Sequence, residues 1–197
     1  MFASRYDPLV DLFSVDILHI EHPGGFRNAL WRTTYRVDVY DDHGEALATV
    51  RERQQPGALK LGRATGFSGH LPFDLRVTGP DGRDLLGIRK GFSGRRARVD
   101  VTDPAGPLVG SLVRQGLRDI AVNDQQGRSH GNLSDIAAFQ FGALARRDGR
   151  KVRRDLLRMP PELGSPVREL VIGAALAFDI VHGKGTTKPS GWSWPAG

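Results

Sequence analysis

One segment near the end of the chain dominates its architecture: Ser165-Pro166-Val167-Arg168-Glu169-Leu170-Val171-Ile172-Gly173-Ala174-Ala175-Leu176-Ala177-Phe178-Asp179-Ile180-Val181-His182-Gly183. It predicts a helix with Ser165 at the N-cap, Pro166 at the first helical position and Gly183 just past the last turn. From Leu170 to Phe178 no residue is polar, so every face of this helix is apolar. A surface helix needs only one apolar stripe, so this one is predicted to be enclosed by protein.

Most of the preceding chain repeats a hairpin pattern: a short alternating apolar run, a turn with Gly, and a second apolar run. Alternation with period two around Asp/Asn/Gly turns is typical of antiparallel β-hairpins. The turn glycines at 82, 106, 127 and 149 lie 21 to 24 residues apart, the length of a hairpin and its link. A first strand is predicted at 15–21, and hairpins follow at 35–50, 73–88, 97–113, 120–127 and 139–152.

These two patterns together predict a mainly β fold. About ten or more strands with one apolar face need a core, and an apolar helix needs an enclosure. A closed antiparallel β-barrel wrapped around the C-terminal helix provides both. We predict an N-terminal extension at 1–14, the barrel domain at 15–183 and a flexible tail at 184–197 that carries Trp192 and Trp194. The alternative is a membrane anchor at 167–181, but 15 residues of helix span only about 23 Å of a hydrocarbon core of about 30 Å.

Composition favours anionic partners and excludes cysteine chemistry. The 197 residues contain no Cys, so disulfides and thiolate metal sites are impossible. The net charge is +6 and is carried mainly by Arg, which favours phospholipid headgroups or nucleic acid, although solubility alone also explains such a surplus. The N-terminus lacks a signal-peptide pattern, so the expected location is cytoplasmic, or peripheral on the inner face of a membrane.

Two basic stretches are the strongest functional signal, and each is predicted to lie in or beside a loop. Such residues attract anionic lipid by about 1 kcal/mol each near the surface. The predicted lipid-binding residues are Arg89, Lys90, Arg95, Arg96, Arg98, Arg146, Arg147, Arg150, Lys151, Arg153 and Arg154, with Arg158 following the second stretch. A solvated rim without a ligand is the other interpretation.

The order of these pieces resembles the phospholipid scramblase family of the Tubby C-terminal-like superfamily, which includes the plant LURP-one-related proteins. The resemblance spans about residues 15–182. It rests on the strand at 15–21 and on the segments 35–44, 71–82, 107–113 and 171–179. It implies a barrel of twelve strands around a central helix, and an affinity for lipid.

The chain departs from that family at the features associated with calcium binding and with the acylation of cysteine, since it contains no Cys. The segment before the final helix, 153–162, is basic and lacks the clustered oxygen ligands that calcium prefers. Six histidines show no close metal-ligand spacing, and Asp179 within the apolar helix is predicted to be a paired structural carboxylate. We therefore expect a non-enzymatic protein that uses no metal or cofactor and binds anionic phospholipid. The alternative is a protein- or nucleic-acid-binding scaffold on the same fold.

Overall fold

A computed structural model describes residues 11–23, 36–53, 72–91, 98–116 and 119–182. Within these ranges eleven strands form one antiparallel sheet in the order β10-β11-β1-β2-β3-β4-β5-β6-β7-β8-β9. The protein is therefore mainly β, as the hairpin pattern predicts. The strands are β1 (Ile17–Pro23), β2 (Arg36–Tyr40), β3 (Ala46–Glu52), β4 (Phe73–Thr78), β5 (Asp84–Lys90), β6 (Arg98–Thr102), β7 (Leu108–Gln115), β8 (Asp119–Asp124), β9 (Ser129–Asn132), β10 (Ala138–Arg147) and β11 (Arg150–Arg158). The helices are α1 (Leu133–Ile136), α2 (Val167–Leu176) and α3 (Phe178–Val181).

All five predicted hairpins are present, and recurrent Asp and Gly positions shape their turns. In the β2–β3 turn, Asp41 Oδ1 accepts hydrogen bonds from the backbone N–H groups of His43 (2.9 Å) and Glu45 (2.7 Å). Gly44 has a φ of +84°, a conformation that favours glycine. The β8–β9 turn repeats this arrangement with Asp124 and Gly127. The spacing of Asp and Gly in the sequence therefore predicts these hairpins. The Asp side chain accepts hydrogen bonds from backbone N–H groups of the turn, and Gly adopts the positive φ.

The antiparallel order separates the two ends of the sheet. The turns of the first four hairpins lie at one end, whereas the β10–β11 turn lies at the other. Helix α2 begins at the first of these ends, where Arg168 Nη2 donates to Val15 O (2.8 Å) and Asp16 Oδ1 (2.5 Å) beside the start of β1. Helix α3 ends at the same end as the β10–β11 turn, where it meets the start of β11.

The predicted C-terminal helix is divided at Ala177 into α2 and α3, and its apolar part is buried on every side, as its composition predicts. No apolar residue from Leu170 to Phe178 is more than 3% exposed. Glycine permits close packing: a Cβ on Gly110 of β7 would overlap Asn123 O and approach the Leu170 methyls to 2.9 Å. A Cβ on Gly173 would lie 3.0 Å from Val101. Gly110 and Gly173 therefore permit the close approach of strands to the helix at these contacts.

Three details of the terminal segments refine the sequence interpretation. Helix α2 begins at Val167 with Pro166 as its N-cap, one residue later than predicted. Among the described helices, none has the length and apolar character needed to cross a membrane. Leu12, which the sequence assigns to an extension, is 1% exposed within the core. The predicted helix stop at Gly183 and the tail at 184–197 lie outside the described residues.

Candidate functional site

The topology brings both basic stretches to the end of the sheet where α3 ends. Arg89 and Lys90 close β5, and Arg98 opens β6. The second stretch closes β10 and opens β11 around the turn at Asp148 and Gly149. The described parts of the two stretches therefore lie at one end of the sheet, on strands that are not neighbours in the sheet. Arg95 and Arg96 lie outside the described residues.

The first stretch offers little unpaired charge in its described part. Arg89 Nε lies 3.6 Å from Asp74 Oδ1, and Arg98 Nε lies 2.8 Å from Asp100 Oδ1. Lys90 is only 2% exposed, with its Nζ 5.9 Å from the centroid of the Phe73 ring. Exposed ion pairs of this kind are screened and locally neutral.

In the second stretch, two arginines are engaged in what we call the outer ion cluster, formed by Glu21, Tyr40, Arg147 and Arg154. Glu21 is 3% exposed, and Arg147 donates to both of its carboxylate oxygens at 3.0 and 3.1 Å. Arg154 Nη2 donates to Glu21 Oε1 at 2.7 Å. The Arg147 guanidinium also lies 3.7 Å from the centroid of the Tyr40 ring, in cation–π contact. Arg147 and Arg154 therefore contribute to the stability of the fold.

The outer ion cluster stabilises the ionised form of Glu21. Burial alone would raise the pKa of Glu21, but the hydrogen bonds and charges of Arg147 and Arg154 outweigh it and hold the pKa below its ordinary value of 4.5. The unfolded chain therefore binds a proton more readily than the folded one, so the free energy of unfolding falls as the pH drops through this region.

We expect Glu21→Gln to remove part of this pH dependence. The contribution of Glu21 is fully present above pH 4.5, the ordinary value, and is lost as the pH falls through the lowered folded pKa. The wild-type protein should be more stable than E21Q at pH 7, and the difference should narrow below pH 4.5. Urea unfolding between pH 3 and 7 measures it. The control is Glu162→Gln at an exposed position. A constant difference across the range would contradict the assignment.

A second group, the buried ion cluster, consists of His22, Arg153, Asp155 and Asp179. Arg153 Nη2 donates to Asp155 Oδ2 at 2.9 Å and to Asp179 Oδ2 at 2.5 Å, which uses both of its hydrogens. His22 Nε2 lies 2.9 Å from Asp155 Oδ2 and 2.7 Å from Arg153 Nη2. His22 therefore lies at hydrogen-bond distance from both Asp155 and Arg153 and belongs to the same buried network.

The buried ion cluster fixes the shape of the β10–β11 hairpin. Burial would raise the pKa of Asp155, but hydrogen bonds and charges from His22 and Arg153, and the Gly142 N–H, lower it overall. The Gly142 N–H donates to Asp155 Oδ1 at 2.7 Å, at a bulge where β10 shifts its register against β11. Asp179 is paired, as predicted. Arg153 and Arg154 lie inside β11, and both pair with buried acids.

The remaining cations of the second stretch form the basic hairpin tip, defined as Arg146, Arg150 and Lys151. All three are exposed, and none forms an ion pair within the part of the chain that the structure describes. Arg146 lies directly opposite Lys151, and Arg147 lies opposite Arg150. Like charges directly opposite each other across strands destabilise a hairpin. The basic hairpin tip is therefore a place where a bound anion would relieve repulsion.

An exposed apolar side chain accompanies these cations. Leu144 is 78% exposed, and Phe141 nearby is 37% exposed. Leu144 lies two residues before Arg146 on β10, so the two side chains share a face of the hairpin, together with Lys151. Phe141 also contacts Phe178, with ring centroids 5.1 Å apart, so the hairpin is anchored on α3 while Leu144 projects from it. The sequence interpretation missed Leu144. Its position two residues before Arg146 on a predicted strand was the signal that both side chains share a face.

No protein family, curated protein or solved structure gives a match to this chain. In the described ranges, no three His, Asp or Glu side chains are arranged to hold a metal ion.

Proposed function

We propose that this protein is a non-enzymatic, peripheral binder of anionic phospholipid that docks on a membrane through the basic hairpin tip. The observation that carries the proposal is one face of the β10–β11 hairpin, where exposed Leu144 adjoins Arg146 and Lys151. Cations at headgroup depth contribute about 1 kcal/mol each, and a neighbouring aliphatic side chain adds apolar burial. Lys90 and Arg153 are mostly buried, so the proposed surface excludes them.

The same face favours lipid over nucleic acid. Single-stranded nucleic acid binds through cations combined with exposed aromatic rings on which bases stack. The side chain that projects here is the aliphatic Leu144, whereas Phe141 is packed against Phe178. An aliphatic side chain between cations suits the boundary between headgroups and acyl chains.

The fold is proposed to be a closed barrel similar to that of the scramblase family. Supporting this, α2 from Leu170 onward and all of α3 are buried, and one hydrophobic cluster unites residues from β1 to β8, β11 and both helices. The edge strands β9 and β10 run in the same direction, because eight antiparallel steps separate β1 from β9 and two separate it from β10. Helix α1 contacts both edge strands, β9 and β10, so the proposed barrel would close at this helix.

Vesicle co-sedimentation at low salt tests the proposal. We expect the protein to sediment with vesicles of 30% phosphatidylserine and to stay in solution with pure phosphatidylcholine. Arg146→Glu with Lys151→Glu should reduce the partition coefficient at least about 30-fold, the equivalent of two cations at about 1 kcal/mol each. This double variant keeps like charges opposite each other, so its stability should change little.

The matched control is Arg83→Glu with Arg158→Glu. It makes the same change in net charge with exposed arginines at the other end of the sheet. Equal losses in both double variants would mean that only net charge matters and would overturn the proposed surface. Binding to a labelled oligonucleotide without binding to vesicles would favour the scaffold alternative instead.

A further inference from the structure

At the end of the sheet where α2 begins, the structure contains a cavity of about 520 Å³. This lies within the range of small-molecule pockets, about 300–1,000 Å³. Its apolar wall includes Leu85, Leu108 and Val109, which are only partly buried. The cavity is at the opposite end from the basic hairpin tip, so a ligand in the cavity would be independent of the proposed membrane binding.

Glu169 lines the cavity, and one of its carboxylate oxygens has no hydrogen-bond partner among the described residues. This oxygen, Oε2, is buried. Glu169 is the third residue of α2, where a Glu ordinarily accepts a hydrogen bond from the N-cap backbone N–H. The N-cap of α2 is Pro166, which has no N–H to donate. Because proline has no N–H, the usual partner of Glu169 is missing.

The cavity is acidic although the protein is basic. Its lining contains three carboxylates, those of Asp103, Asp124 and Glu169, and one guanidinium. That guanidinium belongs to Arg128, whose Nε already donates to Asp124 Oδ2 at 2.7 Å. With His130 neutral, the lining has a net charge of −2, in a chain whose net charge is +6. Asp103 and Glu169 therefore have no cation of their own among the lining residues.

We propose that this cavity binds an organic cation with an apolar body. The ammonium group of such a ligand would donate to Glu169 and Asp103, and its hydrocarbon would pack against Leu85, Leu108 and Val109. Two lining carboxylates without a cation favour a positively charged ligand, because a charge-assisted hydrogen bond is about twice as strong as a neutral one. A neutral ligand would leave the charge uncompensated, and an anion would be repelled.

Three probes of equal chain length separate these cases: hexylammonium, hexanol and hexanoate, each titrated into the full-length ¹⁵N-labelled protein. We expect hexylammonium to shift the amide resonances around the cavity with a dissociation constant of about 1 mM, a strength typical of so small a ligand. Hexanol should bind at least about tenfold more weakly, and hexanoate should cause no shift at the same concentrations.

Glu169→Gln preserves the shape of the side chain and should weaken hexylammonium about tenfold. Glu162→Gln, at an exposed position outside the cavity lining, should not change the affinity. If E169Q does not fold, Asp103→Asn at the exposed rim replaces it, with a smaller loss expected. Equal binding of hexanol and hexylammonium, an unchanged affinity in the Gln or Asn variant, or no shift at about 20 mM hexylammonium, well above the expected dissociation constant, would each overturn the proposal. None of these outcomes bears on vesicle binding.

Discussion

Replacing Arg153 with Met is expected to lower the free energy of unfolding by about 3–5 kcal/mol. The Arg153 guanidinium donates to two carboxylates, and the Asp155 and Asp179 side chains are only 2% and 6% exposed. Removing one member of a buried charge network leaves the others desolvated and uncompensated, which is far more unfavourable than losing an exposed ion pair. Chemical denaturation at pH 7 measures the loss.

The matched control is Arg150→Met, in which an exposed arginine of the same strand is lost with an expected effect within about 0.5 kcal/mol. The double variant Arg153→Met with Asp179→Leu should be more stable than R153M alone, because the buried carboxylate leaves together with its partner. A loss below about 1 kcal/mol for R153M would mean that water solvates these carboxylates and that the buried ion cluster does not hold the hairpin on α3.

The strands and the helix could be predicted from the sequence because their signals are local. An Asp at a turn start and a Gly three residues later satisfy that turn's own backbone donors, as Asp41 and Gly44 do. The uniform apolarity of 170–178 predicts an enclosed helix without any partner being known. The sheet order is different. The pairing of β1 with β11 joins residues more than 130 positions apart, such as Ile20 and Asp155, and no local pattern encodes it.

From the sequence, the candidate site could be predicted only as a set of basic residues, without the acidic partners that pair with some of them. Half of the second basic stretch is paired with acids, some of them remote in sequence: Glu21 lies 126 and 133 positions from Arg147 and Arg154. A run of arginines looks the same whether its partners are lipid headgroups or distant carboxylates. The three-dimensional pairing reduces the predicted surface to the basic hairpin tip and adds Leu144, whose exposure depends on how far the hairpin extends beyond the core.

Replacing Leu176 with Asp is expected to unfold the protein. Leu176 is 1% exposed at the end of α2, within the hydrophobic cluster. The substitution removes a buried aliphatic side chain, typically about 2–5 kcal/mol, and places a carboxylate in an apolar environment. Together these effects approach or exceed the total stability of about 5–15 kcal/mol that is usual for a domain. Circular dichroism and the dispersion of amide resonances at room temperature measure the outcome.

The same substitution at Leu144 is the control, because that side chain is 78% exposed. L144D should remain folded, with a melting temperature close to that of the wild type, while its partitioning into anionic vesicles falls, since a carboxylate would replace the projecting aliphatic group. If L176D were instead folded and deficient only in vesicle binding, the helix would face lipid and the enclosed-helix architecture would be wrong. The two variants thus distinguish Leu176, a buried residue that the fold requires, from Leu144, an exposed residue of the proposed membrane-binding surface.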